Sequence, residues 1–357
     1  MVRLLQIVPD LPPSVNGLGD YALNLARPLY SNYGIVTEFA VGNPNWKSTD
    51  RPGYVENFKA TPVQSRKADA LVELIKDHEI VILHYVGYGY AKRGCPFWLV
   101  HGLEEWKKQR NCKLITMFHE LYASGTIQSS AFWLHNIQKK ICQNILSISQ
   151  ASITSNRHYV ELLQKLQNNT ELKILSLPVF SNVGEAAYNK PLIERDKHLI
   201  IFGGKSKRRL IYKNSVDKLN FVCNSLDITK IIDIGEPISG INYDIINIDV
   251  MCIGKQERNI ICYYLTNSMA AFLSYPSNVL AKSTVFAAYC SHGIIPILET
   301  KYQKVKDDIA YGTHYLTPSS SFENLHELQT ISNQVFDWYQ SHTLEKQTKI
   351  FSDIIKD

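Results

Sequence analysis

Residues able to do chemistry gather in this chain where short β-branched runs give out. The first run, residues 4–8, leads into Pro12-Pro13-Ser14-Val15-Asn16-Gly17-Leu18-Gly19-Asp20, which opens directly into a helical pattern. Gly17 and Gly19 would let backbone amides approach a ligand, and a helix start favours an anion. A tight strand-to-helix turn would use the same two glycines. The run at 79–85 ends in His84-Tyr85-Val86-Gly87-Tyr88-Gly89-Tyr90-Ala91-Lys92-Arg93-Gly94. This stretch reads as a loop in which Tyr85, Tyr88 and Tyr90 offer ring faces to a sugar, while their hydroxyls and Arg93 offer hydrogen bonds. The competing reading packs the tyrosines beneath the loop. The run at 113–118 passes into His119-Glu120, where an imidazole and a carboxylate could serve as a base or hold a hydroxyl.

In the second half, Phe202-Gly203-Gly204 ends a run, and Arg208 and Lys213 come next, five residues apart. Two cations after a strand suit a diphosphate, whose charge grows as it departs; a solvated basic helix face is the alternative. Lys282-Ser283-Thr284 begins an apolar helical pattern, so its first turn brings amides, a hydroxyl and a cation together, and N-capping alone would explain the same residues. There is no Asp-x-Asp motif, no Walker loop, and no Ser/His/Asp set that can be picked out.

The elements that must position these residues alternate almost from end to end, which is the rhythm of parallel α/β layering. Strands are predicted at 4–8, 35–41, 79–85, 113–118, 151–154 and 172–176. They resume at 198–202, 230–234, 249–253, 269–274 and 294–298. Helices fall between them, with the last two near 322–341 and 343–356. Residues 1–182 read as an N-terminal Rossmann-like domain. Residues 183–197 read as a linker, 198–332 as a second Rossmann-like domain, and 333–357 as terminal helices crossing back to the first domain. Ligands of such sheets bind beyond the carboxyl ends of the strands, where the residues above lie.

The 357 residues exceed one ordinary core and suit two. A net charge of +5 is mild at this length. It permits peripheral contact with an acidic membrane surface, while the scattered basic residues give no nucleic-acid signature. The seven cysteines form no Cys-x2-Cys pair, which points away from a disulfide framework and a structural zinc site. With no signal-peptide pattern and no apolar run of about 20 residues, a cytoplasmic protein is expected.

Together these motifs resemble the retaining family-4 glycosyltransferases. That family reads strand, Gly-Asp-Gly-Pro, Phe-Leu-Gly, helix, Pro-Ser-x-x-Glu, seven residues, Glu-Ala and a Gly-x-Pro strand. Ile234-Gly235-Glu236-Pro237, Cys252-Ile253-Gly254, Pro276-Ser277 and Gly293-Ile294-Ile295-Pro296 take those places here, which puts Leu280 and Ala288 where the family has two glutamates. Gly17-Leu18-Gly19-Asp20 resembles the family's glycine loop, and His119-Glu120 its His-Asp. The resemblance implies an α/β GT-B protein, two Rossmann-like domains facing across a cleft, that transfers a sugar from a nucleotide-sugar donor with retention and without a metal or other cofactor. It assigns catalysis to His119, Arg208 and Lys213. Donor and phosphate binding fall to Gly17, Gly19, Gly235, Glu236, Lys282, Ser283 and Thr284, and acceptor binding to Tyr85, Tyr88, Tyr90, Arg93 and Glu120. The acceptor would be a saccharide, a lipid-linked or another small molecule. The missing glutamates leave a second reading open: a catalytically inactive GT-B protein that binds a glycan or a partner subunit.

Overall fold

The computed structural model describes residues 2–14, 17–49, 51–108, 112–123, 130–167, 172–243, 246–301, 303 and 305–357. The chain divides into two compact units, residues 1–177 with 344–357, and residues 178–343.

The first unit carries β1 (Arg3–Val8), α1 (Gly17–Tyr33), β2 (Val36–Val41), β3 (Tyr54–Val55), β4 (Phe58–Pro62), α2 (Ala68–Ile75), β5 (Ile80–Tyr85), α3 (Gly87–Tyr90), α4 (Phe97–Lys107), β6 (Lys113–Phe118), α5 (Ser130–Ile148), β7 (Ala151–Thr154), α6 (Arg157–Leu166) and β8 (Ile174–Ser176). Its eight-stranded sheet has the order β3-β4-β2-β1-β5-β6-β7-β8, parallel apart from the β3–β4 pair. The central strands are buried along almost their whole length because helices cover both faces, so they read as near-continuous apolar runs. Gln6 is the polar exception inside β1 and is fully buried. The edge pair β3–β4 had no sequence signal: Lys59 and Pro62 break the apolar run, as residues of sheet edges do.

The second unit carries β9 (Asp196–Phe202), α7 (Lys205–Asn214), α8 (Val216–Ser225), β10 (Lys230–Ile234), β11 (Asp249–Gly254), α9 (Arg258–Asn267), β12 (Ser268–Ser274), α10 (Thr284–Ser291), β13 (Ile295–Glu299) and α11 (Leu325–Gln340). Its five strands, all parallel, lie in the order β11-β10-β9-β12-β13. The segment 183–197, read from sequence as a linker, lies within this unit. Arg195 is buried there and donates to Lys190 O, Ser268 O, Asn189 Oδ1 and His292 O. The last helix, α12 (Leu344–Lys356), belongs to the first unit, where Tyr21 Oη of α1 donates to Gln347 Oε1 at 2.9 Å.

Strand order reverses once in each sheet. In the first, β1 leads outward to β2 on one side while the chain returns to β5 on the other; in the second, β9 leads to β10 and the chain returns to β12. The loops after β1, β5, β9 and β12 therefore flank the two positions where open α/β sheets bind ligands.

Candidate functional sites

At the carboxyl edge of the second sheet, β9 runs out into Gly203-Gly204 and α7 starts at Lys205. Gly204 is the N-cap and supplies no side-chain cap, so the first amides of this ten-residue helix are satisfied by no side chain of their own. Lys205 and Lys207 are exposed in that first turn. Lys207 Nζ lies 5.5 Å from the ring centre of Tyr275, the residue just past β12. Lys255, just after β11, pairs with Glu236 at 2.7 Å and holds that carboxyl below the usual range. The crest is thus basic, glycine-ended and open to an anion.

Arg208 is not part of that open surface. It is fully buried: Nε donates to Gly203 O at 2.8 Å, and the two terminal nitrogens bond Asp233 Oδ1 and Glu236 O. Asp233 also accepts from Tyr212 Oη at 2.6 Å. Burial pushes the Asp233 carboxyl up, against the opposing pull of Tyr212 and Arg208. Arg208 therefore ties the loops after β9 and β10 together from beneath. Gly235 makes room for it: φ is +143°, and a Cβ would meet Arg208 Nη2 at 2.7 Å and Gly203 O at 2.7 Å. Lys213, the other cation of the expected pair, is exposed in the last turn of α7. Five residues along a helix rotate about 140° net and advance about 7.5 Å, so Arg208 and Lys213 leave α7 on different sides, one buried and one exposed. Lys205 and Lys207 stand where that pair was expected, and their place directly behind the glycines was the available signal.

Ser283 caps α10, accepting from Phe286 N at 3.2 Å, with Lys282 and Thr284 half-buried on either side. Leu280 and Ala288 are buried. A cavity of about 450 Å³ lies at the end of β13, lined in part by Phe221 and by Lys218 and Glu299, which pair at 2.7 Å.

In the first unit Gly17 is exposed at the start of α1, and Val15 and Asn16 lie outside the described residues. Gly19 faces its own chain: a Cβ there would meet Asp10 O at 2.5 Å, so this glycine lets α1 close onto the loop after β1. His119 comes directly after β6, half-buried, its amide donating to Tyr85 O at 3.0 Å. Its ring nitrogen Nε2 lies 3.0 Å from Nδ1 of buried His84, whose Nε2 lies 2.6 Å from Gln6 Oε1. Neither Gln6 nor His84 was singled out from sequence, although a glutamine in an apolar strand marks a buried polar contact.

The tyrosine stretch is not a loop of exposed rings. Tyr85 is fully buried against Phe118, and burial pushes its hydroxyl pKa well up. Tyr90 is also fully buried, donating to Ile7 O and His84 O at 3.0 and 2.9 Å. Both belong to the core: Tyr85 is the last residue of β5, and α3 folds Tyr90 back over the sheet. Tyr88 alone stays exposed, with Arg93 beyond it. Gln138 of α5 organises this corner: its Nε2 donates to Tyr88 Oη at 3.1 Å and to Arg93 O at 2.9 Å, while its Oε1 accepts from Ala123 N at 2.8 Å. Beside it opens a cavity of about 200 Å³ that takes in Tyr88, Glu120, Tyr122 and Tyr159. Tyr122 and Tyr159 come from stretches that carry no motif and no hint of a site.

No family model matches the sequence, and no curated protein is similar to it in sequence. Solved structures do match in fold. An α-glucosyltransferase in complex with UDP-glucose and DNA containing an abasic site has a TM-score of 0.59, 14% identity and 100% coverage of both chains. Lipopolysaccharide outer core galactosyltransferase WaaB in its apo form has a TM-score of 0.55 and 14% identity, again over 100% of both chains. For α,α-trehalose 6-phosphate synthase from Burkholderia multivorans the TM-score is 0.60 at 12% identity, over 99% of this chain and 98% of that one. The two-sheet α/β architecture of this chain is that of the GT-B glycosyltransferases.

Proposed function

We propose that this chain transfers a glycosyl group from a nucleotide sugar, its second unit holding the donor and its first unit presenting the acceptor. The observation that carries the reading is the basic crest of the second sheet, where Gly203-Gly204, Lys205, Lys207 and Lys255 meet the strand reversal. Backbone amides and protein cations there would bind the diphosphate and stabilise it as it departs, the task that other transferases give to a metal ion. Gly235, Glu236 and the Lys282–Thr284 helix start would complete the donor side; in the first unit, His119 would contact a sugar hydroxyl. A donor of the UDP class is the first choice, since the similar α-glucosyltransferase is a UDP-glucose complex. Retention at the anomeric carbon is inferred from the family-4 resemblance.

The cavity beside Tyr88 and Glu120 is the proposed acceptor side, with Arg93 at its margin. Tyrosine faces, a carboxylate and a buried amide suit a hydroxylated ring, hence a free or lipid-linked saccharide. Among the described residues no helix is long and apolar enough to cross a membrane, so a lipid-linked acceptor would be met peripherally. We place the reaction in the cytoplasm.

The test is nucleotide release. Purified protein is incubated with UDP-glucose and other nucleotide sugars, with and without saccharide acceptors. Slow donor hydrolysis that rises with a saccharide is the expected result. Nucleotide binding without turnover for any donor would favour a non-catalytic binder, the outcome that buried Leu280 and Ala288 would explain. No binding at all would overturn the proposal.

A further inference from the structure

We propose that Gln6 and His84 are positioning residues that fix which ring nitrogen of His119 carries its proton. Gln6 is fully buried in the middle of a core strand, where an amide is costly unless it is hydrogen-bonded. Its Oε1 sits 2.6 Å from His84 Nε2. A carbonyl oxygen only accepts, so His84 Nε2 bears the hydrogen. His84 is itself fully buried, and burial together with neighbouring His119 holds its pKa well below the ordinary histidine value, so the ring is neutral. A neutral imidazole with hydrogen on Nε2 has its lone pair on Nδ1, and that atom lies 3.0 Å from His119 Nε2. His119 must therefore donate through Nε2, so its neutral ring carries the lone pair on Nδ1.

Ring orientation is set in the same way from behind. Tyr21 packs edge-on against both imidazoles, 5.9 Å from His84 and 5.1 Å from His119, and its hydroxyl is held by Gln347. The remaining amide nitrogen of Gln6 is buried without a hydrogen-bond partner. That arrangement is the cost of turning Oε1 towards His84. With the amide reversed, every bond in the chain would reverse and His119 would carry its hydrogen on Nδ1. The catalytic consequence rests on the transferase reading: His119 would meet a sugar hydroxyl as an acceptor through Nδ1, and could take up a proton there while keeping its bond to His84.

The experiment is long-range ¹⁵N–¹H correlation NMR of the histidine rings in the full chain. The expected wild-type spectrum shows His119 protonated at Nε2 and not at Nδ1. A wild-type His119 in the Nδ1–H form overturns the proposal outright, whether or not any variant folds. In Gln6→Met, which keeps side-chain length and loses the carbonyl, His119 should become a mixture of tautomers. Turnover in the nucleotide-release assay should fall by about tenfold or more, with the donor KM within about twofold. An unchanged tautomer and unchanged turnover in a folded Gln6→Met would also overturn it. If the tautomers behave as expected and no donor is turned over by any form, the transferase reading has failed and the relay stands.

Discussion

Arg208 can be read as a phosphate ligand or as a brace, and the two roles part on substitution. Arg208→Ala removes a buried guanidinium that bonds Gly203 O, Asp233 Oδ1 and Glu236 O. Asp233 is then left in the interior with Tyr212 as its hydrogen-bond donor. Breaking a buried ion pair from one side costs about 3–5 kcal/mol, against a total stability of about 5–15 kcal/mol for a domain. For a unit of this size each kcal/mol shifts the melting temperature by about 2–4 °C, so the second unit's transition should drop by roughly 6–20 °C. Arg208→Lys should recover little, because one ammonium cannot span three acceptors around a planar fork. The assay is calorimetry or urea unfolding, tracked through the transition that nucleotide does or does not shift. A variant as stable as wild type that has lost nucleotide binding would refute the brace and restore Arg208 as a ligand.

Lys205→Ala and Lys255→Ala should each weaken nucleotide binding by about tenfold, the lower end for a charge-assisted phosphate contact at an exposed site, with stability unchanged; calorimetric titration with UDP checks this, using Lys213→Ala as the silent control. Gly235→Ala should destabilise the second unit by about 1–3 kcal/mol, since φ is +143° and the added carbon meets Arg208; urea midpoints report it. His292 is buried with Nδ1 2.8 Å from Ala288 O, and burial lowers its pKa from about 6.5 to about 4. The unfolded chain therefore takes the proton first as pH falls. Stability present above about pH 6.5 is lost progressively towards pH 4, by up to about 3 kcal/mol, and His292→Leu should flatten that slope in urea unfolding.

The strands were legible because a parallel sheet covered on both faces demands continuous apolar runs, as in residues 80–85 and 113–118. What failed was side-chain direction. Tyr85, Tyr88 and Tyr90 look alike in a Tyr/Gly stretch, yet Tyr85 ends β5 facing the core, and the turn of α3 sends Tyr90 inward and Tyr88 outward. Arg208 and Lys213 look like a cation pair by spacing, yet the helical period sends them to different sides. His119 was legible as a strand-end histidine; His84 was not, because its partners Gln6 and Tyr21 come from distant parts of the chain. The pocket residues Tyr122 and Tyr159 were invisible for the same reason.

If the crest formed by β9, β10 and β12 binds the donor diphosphate, nucleotide must slow amide exchange there first. Hydrogen–deuterium exchange with and without UDP-glucose tests this most directly. Protection should appear at residues 203–207, 235–236 and 275–284, with none at 213–221. Protection confined to the Lys213 end, or absent from the glycine ends of β9 and β10 at saturating nucleotide, would contradict a donor site on this crest.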